Sequence, residues 1–169
     1  QQICGGFATI QNEEDETVSV VPLPTNPKLD ELMAILDEEP GKVIVFCRFR
    51  PEIEAVRAAI AKRYGEETVV EFHGGTSTAD RSAAREAFQT NDALRYFVAN
   101  TQTASMGIEL SAASLIVYFS NDFNYESRVQ SLERATNLTK LTGVGVVDIV
   151  VDLKEDKLLL LANDAKLDM

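Results

Sequence analysis

Cysteine and histidine are scarce in this 169-residue chain: it holds Cys4 and Cys47 and one histidine, His73. Two cysteines cannot build a disulfide framework, and their spacing fits no metal-ligand pattern, so reduced thiols and no metal site are expected. Cys47 lies inside an apolar run and is expected in the core. His73 has no neighbour that would make it a catalytic base, which leaves a structural or contact role. Long apolar runs are also missing. No segment approaches the roughly 18 apolar residues of a membrane-spanning helix. The opening QQICGGFATI lacks the basic and apolar stretches of a signal peptide. A soluble intracellular protein is expected, cytoplasmic or in the nucleoid or nucleus, without membrane attachment and not secreted. Positive charge is outweighed, 16 basic residues against 27 acidic, for a formal net charge of -11. That balance excludes a freestanding binder whose whole surface attracts phosphate, and any nucleic-acid contact must be local. A phosphate loop of the form G-x-x-x-x-G-K-S/T is absent, as is an Asp-Glu pair placed after a strand to hold Mg²⁺. An initiating Met is absent as well, and the first residues read as the end of a helix, so a piece of a longer polypeptide is expected.

What remains suits one globular domain with a sizeable core, the composition being 45% hydrophobic and 25% charged. Residues 1–26 read as a connecting arm, acidic and then proline-rich, with an extended VSVVPLP; the domain proper is expected over 27–169. Helical spacing of Leu29, Leu32, Met33, Ile35 and Leu36 predicts a helix over 27–39, closed by Pro40-Gly41. KVIVFC, Lys42–Cys47, is a buried type of strand. The alternation continues with a helix over 52–64, a strand over 68–72, a helix over 78–88 capped by Ser77 or Thr78, and a strand over 94–99. A short helix near Leu110, a strand over 115–119, a helix from about Tyr125, a strand over 144–153 and a helix over 155–165 complete it. Continuous apolar strands alternating with helices predict an α/β domain, a mainly parallel sheet flanked by helices in three layers.

Ligands of such sheets bind beyond the carboxyl ends of the strands, so the loops there carry the information. RFRPE places Arg48 and Arg50 at that edge, either to grip a phosphate or as a solvated pair. HGGTSTADR brings Gly74 and Gly75, the hydroxyls of Thr76, Ser77 and Thr78, then Arg81 in a first helical turn. That is an anion site in form, and equally a turn with its N-cap. NTQTASMGIEL offers Thr101, Thr103 and Ser105, then Gly107 and Glu109; hydroxyls suit a sugar-phosphate backbone and a carboxylate suits a ribose, while a capped loop would look the same. In QSLERATNLTK, Gln130, Arg134 and Asn137 recur at spacings of four and three, which gathers them on one helix face. That face looks either to solvent or into a cleft.

The order of these motifs resembles the second, C-terminal RecA-like domain of superfamily 2 helicases, specifically of SWI/SNF-type DNA translocases. KVIVFCRF is similar to motif IV, HGGTSTADRSAAREAF to the Gly-Gly-Thr segment, TQTASMGIELSAASLIV to motif V and QSLERATN to motif VI. QQICGGF looks like the arm between two motor domains, and the match runs to about Val151. The resemblance implies a RecA-like fold and one wall of an ATP cleft between two such domains. It assigns Gly107 and Glu109 to the nucleotide ribose, Gln130 and Arg134 as the catalytic residues facing the cleft with Arg134 on the phosphates, and Asn137 to the same cofactor-binding face. Asn137 stands where the family usually carries its arginine finger, and Ala104-Ser105 where remodellers often have two glycines. Arg48, Gly75, Thr76, Arg81 and Thr101 match positions near the nucleic-acid backbone. The implied cofactor is ATP with Mg²⁺, held mostly by the N-terminal RecA-like domain of the same polypeptide, and the implied track is DNA, with duplex contacts through the backbone. The isolated chain is not expected to hydrolyse ATP. The alternative is a degenerate motor domain serving as a nucleic-acid or protein binding or regulatory module.

Overall fold

The structure is a computed structural model describing residues 5–11, 18–74, 78–101, 111–121, 128–130, 132 and 143–151. Its centre is a five-stranded parallel sheet in the order β4-β5-β3-β6-β7, formed by β3 (Lys42–Cys47), β4 (Val69–Phe72), β5 (Tyr96–Asn100), β6 (Ala113–Tyr118) and β7 (Gly145–Asp148). β3 is the middle strand, and from Val43 to Phe46 it offers both neighbours a β-branched or aromatic partner. Val43 faces Tyr96 on one side and Leu115 on the other, and Phe46 faces Ala99 and Tyr118.

Residues of β3 alternate between two cores. Val43, Val45 and Cys47 face α1 (Pro27–Glu38) and α2 (Arg50–Tyr64), meeting Leu32, Leu36, Ile53 and Ile60. Ile44 and Phe46 face the opposite side, where α3 (Thr78–Thr90) supplies Ala84 and Phe88. A strand covered on both faces has no solvated side, hence the unbroken apolar run of VIVFC. The three layers of the expected RecA-like α/β fold are therefore present.

Each helix begins where its chemistry permits. Asn26 caps α1, its Oδ1 accepting from the Leu29 amide at 3.2 Å, with Pro27 in the first turn. α2 opens at Arg50, two residues ahead of the expected start, because Pro51 sits in its first turn and Glu52 reaches back to the Phe49 amide at 3.0 Å. The expected strand over 144–153 is shorter, Gly145–Asp148. Within the arm, β1 (Phe7–Gln11) and β2 (Val18–Pro22) form an antiparallel hairpin, with Phe7 opposite Pro22. The short helix near Leu110 and the helix over 155–165 lie outside the described residues.

Candidate functional site at the carboxyl edge of the sheet

The strand order reverses at β3. From β3 the chain steps out to the edge strand β4 and returns to β5 between them, then crosses to β6 and β7 on the other side. The crevice of a doubly wound sheet opens at that switch point, outside the carboxyl ends of β3 and β6. There Arg48 and Phe49 follow β3, Phe119, Ser120 and Asn121 follow β6, and Thr101 follows β5.

A buried carboxylate ties this edge together. Glu52 Oε2 accepts from the backbone N–H groups of Arg48 (3.1 Å) and Phe49 (3.0 Å) and from the Ser120 hydroxyl (2.5 Å). The Arg48 amide also reaches Ser120 Oγ at 2.7 Å, and Asn100 Nδ2 donates to the Arg48 carbonyl at 2.6 Å. Three strand ends, β5, β3 and β6, are thereby fastened to one loop. Glu52 is 1% exposed. Burial pushes its carboxyl up from the ordinary glutamate value, against the opposing pull of the Ser120 hydrogen bond, the Phe49 amide and the Lys28 charge. Lys28 is itself buried, its Nζ donating to the Phe119 carbonyl at 3.2 Å. Cys47 is fully buried, as expected, and burial followed by the neighbouring Glu52 charge raises its thiol well above the usual range.

The arm enters the same cluster. A Cβ on Gly5 would stand 2.1 Å from Glu52 Oε1. Phe7 is buried edge-on against Phe49 with ring centroids 5.6 Å apart, and Asn26 Nδ2 donates to the Gly5 carbonyl at 3.1 Å. Gly6 adopts φ 85°, a left-handed conformation that any side chain would strain, beside the Asn26 side chain.

A second network holds the β6–β7 side. Arg128 forms a two-pronged ion pair with Asp148, Nη1 to Oδ1 at 2.8 Å and Nη2 to Oδ2 at 2.7 Å, and its guanidinium lies 4.1 Å from the Tyr118 ring centroid. Asn121 accepts from Arg128 Nη1 and donates to Asp148, each at 2.7 Å.

Among the residues singled out from the sequence, Arg48 sits at the switch point, half-buried, its guanidinium 5.0 Å from the Phe49 ring centroid. Thr101 is 5% exposed behind β5. Gln130 is exposed in a helical segment at 128–130 and 132. Arg81 falls in the first turn of α3, with its side chain outside the described residues, and Gly75, Thr76, Gly107, Glu109, Arg134 and Asn137 lie outside them altogether. Arg50 is not a loop residue: it begins α2 and pairs with Glu54 one turn on at 2.9 Å, both largely exposed. His73 Nε2 stands 3.8 Å from Glu71 Oε1. A Cβ on Gly74 would meet nothing within 4 Å among the described residues, so their packing does not demand a glycine there. No group of three or more metal-ligating side chains occurs among the described residues.

Residues 27–138 match the family described as helicase conserved C-terminal domain. This chain is a helicase C-terminal domain. Its relatives are SWI/SNF-type remodelling proteins. The Protein CHROMATIN REMODELING 4 of Arabidopsis thaliana is 24% identical over 136 residues, covering 80% of this chain and 6% of that protein. The SWI/SNF-related matrix-associated actin-dependent regulator of chromatin subfamily A-like protein 1 homolog of Caenorhabditis elegans is 28% identical over 133 residues, 79% of this chain and 19% of that protein. The helicase C-terminal domain thus spans a small fraction of the length of these relatives. Among solved structures, the C-terminal part of the Fun30 ATPase domain superposes with a TM-score of 0.74 at 18% identity, covering 82% of this chain and 45% of that one, which shows the shared fold. No helix among the described residues is long and apolar enough to cross a membrane.

Glu52, Ser120, Lys28, Arg128 and Asp148 escaped the sequence reading. The available signal was Pro51-Glu52 directly after a strand, a helix start with an acidic residue in its first turn.

Proposed function

We propose that this chain is the C-terminal motor half of an ATP-dependent DNA translocase, forming one wall of an interdomain ATP cleft and gripping the nucleic-acid backbone. The supporting observation is the switch point at β3 and β6, where a helicase C-terminal domain brings Arg48 and the Gln130-bearing helical segment to one edge. In this reading Gln130 and Arg134 face the cleft, Arg134 contacting the phosphates, and Gly107 and Glu109 meet the ribose. Arg48, Gly75, Thr76, Arg81 and Thr101 attend the DNA backbone, with Gly74 leaving room for its close approach. Such contacts are weakly sequence-selective and salt-sensitive.

ATP with Mg²⁺ supplies the phosphoryl group whose transfer to water powers movement. The N-terminal RecA-like domain of the same polypeptide contributes the phosphate loop and the metal-binding carboxylates, neither of which this sequence contains. The present chain orients and stabilises: Arg134 offers charge to the phosphates and Gln130 a polar side chain, and closure of the cleft excludes water. The 169 residues alone are therefore inactive as an ATPase, and steady hydrolysis by them would refute this assignment. The protein works inside the cell on DNA.

A second reading, a degenerate motor domain retained for binding or regulation, draws on Asn137 at the arginine-finger position. Loss of that arginine can cost about three to five orders of magnitude in turnover. The deciding assay is DNA-stimulated ATP hydrolysis by the full-length protein with Asn137 and with Asn137→Arg. Fast turnover with Asn137 makes Arg134 sufficient. Turnover only with arginine marks a motor held off at its finger, and none in either supports the binding module.

A further inference from the structure

Arg128 lies two residues ahead of the exposed Gln130, yet it is only 7% exposed. Its guanidinium is held by four contacts from the strand ends: both carboxylate oxygens of Asp148, the Asn121 amide oxygen and the face of Tyr118. Tyr118 ends β6 and Asp148 ends β7, so a single side chain fastens the helical segment to the carboxyl ends of these two neighbouring strands. Among the described residues of the segment, Leu132 adds an apolar support, packing partly buried against the core on the α3 side of the sheet.

These two supports do different things. Apolar burial is non-directional, so Leu132 keeps the segment down without fixing its rotation or its position along its axis. A planar guanidinium gripped by a carboxylate fixes both, because two parallel hydrogen bonds specify direction as well as distance. An apolar pair of equal volume would give comparable stability without that direction.

We propose that Arg128 is a positioning residue: clamped by Asp148 and Asn121 over Tyr118, it sets the rotation and axial register of the helical segment and so determines where Gln130 meets the nucleotide. This rests on the reading that Gln130 and Arg134 face the ATP cleft. One residue of helix is about 1.5 Å of rise and about 100° of turn, so a slip of that size would carry Gln130 to another face. A misplacement of about 1 Å at a reacting centre can cost about a hundredfold in rate.

The test uses the full-length protein, in both the Asn137 and Asn137→Arg backgrounds, with Arg128→Lys, Asp148→Asn, their combination and Gln130→Ala as reference. Melting temperature, affinity for a fluorescent ATP analogue, and kcat and KM of DNA-stimulated hydrolysis are measured on each. Arg128→Lys keeps the charge and loses the fork, and Asp148→Asn keeps the shape and loses the charge. Each is expected to lower kcat per folded molecule by about tenfold or more. KM for ATP should stay within about twofold. The combined variant should cost no more than the worse single one, since both break one contact. A lowered melting temperature with kcat per folded molecule unchanged in both single variants overturns the proposal and leaves a structural ion pair. If Gln130→Ala lowers turnover or analogue affinity while Arg128→Lys and Asp148→Asn do not, the positioning inference alone fails. If Gln130→Ala changes neither, the cleft assignment fails instead.

Discussion

Replacing Gly5 by alanine ordinarily stabilises a protein by about 0.4–1 kcal/mol where the backbone permits it, by restricting the unfolded chain. Here the opposite is expected. The added Cβ would stand 2.1 Å from Glu52 Oε1, 2.9 Å from its Cδ and 3.0 Å from its Cγ. Such a clash is cheap when the obstructing group is the loose end of a flexible side chain, but Glu52 is buried and holds the Arg48 amide, the Phe49 amide and the Ser120 hydroxyl. Displacing the carboxylate disturbs hydrogen bonds to a charged acceptor that are worth about 1.5–3 kcal/mol each.

Lifting the arm instead is less costly. It exposes Phe7, worth about 1.5–3 kcal/mol of burial. It also breaks the edge-on contact with Phe49, about 0.5–1.5 kcal/mol. The arm is therefore the part that yields, at roughly 2–4.5 kcal/mol on those two terms. If β1 and β2 unfold together with the sheet, a domain of this size should melt roughly 5–15 °C lower. If they open locally, the melting temperature holds while amide hydrogens at 7–9 lose protection. Differential scanning calorimetry with hydrogen-exchange mass spectrometry distinguishes the two. A Gly5→Ala protein with unchanged melting temperature and unchanged protection of β1 would refute the idea that the arm docks on Glu52.

Other consequences can be checked separately. Glu52 has a folded-state carboxyl raised above the usual 4.5, so its ionisation destabilises the native state increasingly as pH rises from 4.5 through the folded value. The stability of Glu52→Gln relative to the parent should therefore improve over that window; urea denaturation at a series of pH values giving a flat difference would count against it. Gly74→Ala should leave stability at or slightly above that of the parent, since no described residue lies within 4 Å of the new methyl. It should nonetheless weaken DNA binding by the full-length protein, and equal affinity in a filter-binding assay would show that no ligand approaches there. Arg81→Ala should reduce DNA stimulation and lower the slope of log affinity against log salt by about one. An unchanged slope and stimulation would remove Arg81 from the DNA contacts.

The sheet was legible because its strands are buried on both faces, and β-branched runs such as VIVFC admit few other readings. The arm was half legible. VSVVP showed as extended, but its partner FATIQ is separated from it by six acidic or polar residues without a glycine turn signal, so the hairpin left no local mark. Arg50 was misplaced in a loop because Pro51 reads as a breaker, whereas in a first helical turn its missing N–H costs nothing. The buried networks were illegible for another reason. Glu52 and Ser120 are 68 residues apart, and Arg128 and Asp148 are 20 apart. No periodicity connects such pairs until the sheet order does. The motif-derived residues Gly107, Glu109, Arg134 and Asn137 came from resemblance, and they lie outside the described residues.

The two networks divide the carboxyl edge between them. Glu52 gathers the arm, the Arg48 loop and the ends of β5 and β6, while Asp148 gathers the ends of β6 and β7 and the helical segment with Gln130. β6 takes part in both, through Ser120 in the first and Tyr118 and Asn121 in the second. Those residues span four positions, and a short strand end packed on both sides moves as a unit. A displacement of the arm that drew Glu52 away from Ser120 would therefore act on the same strand end that anchors Arg128. In the two-domain motor proposed above, an arm fixed at this point would carry the state of one motor domain to the helical segment with Gln130. Ser120→Ala keeps the strand but removes its hydroxyl link to Glu52. In the full-length protein it should uncouple DNA stimulation from ATP turnover while basal hydrolysis and the Arg128–Asp148 pair persist; equal DNA stimulation in parent and variant would show that the two networks act independently.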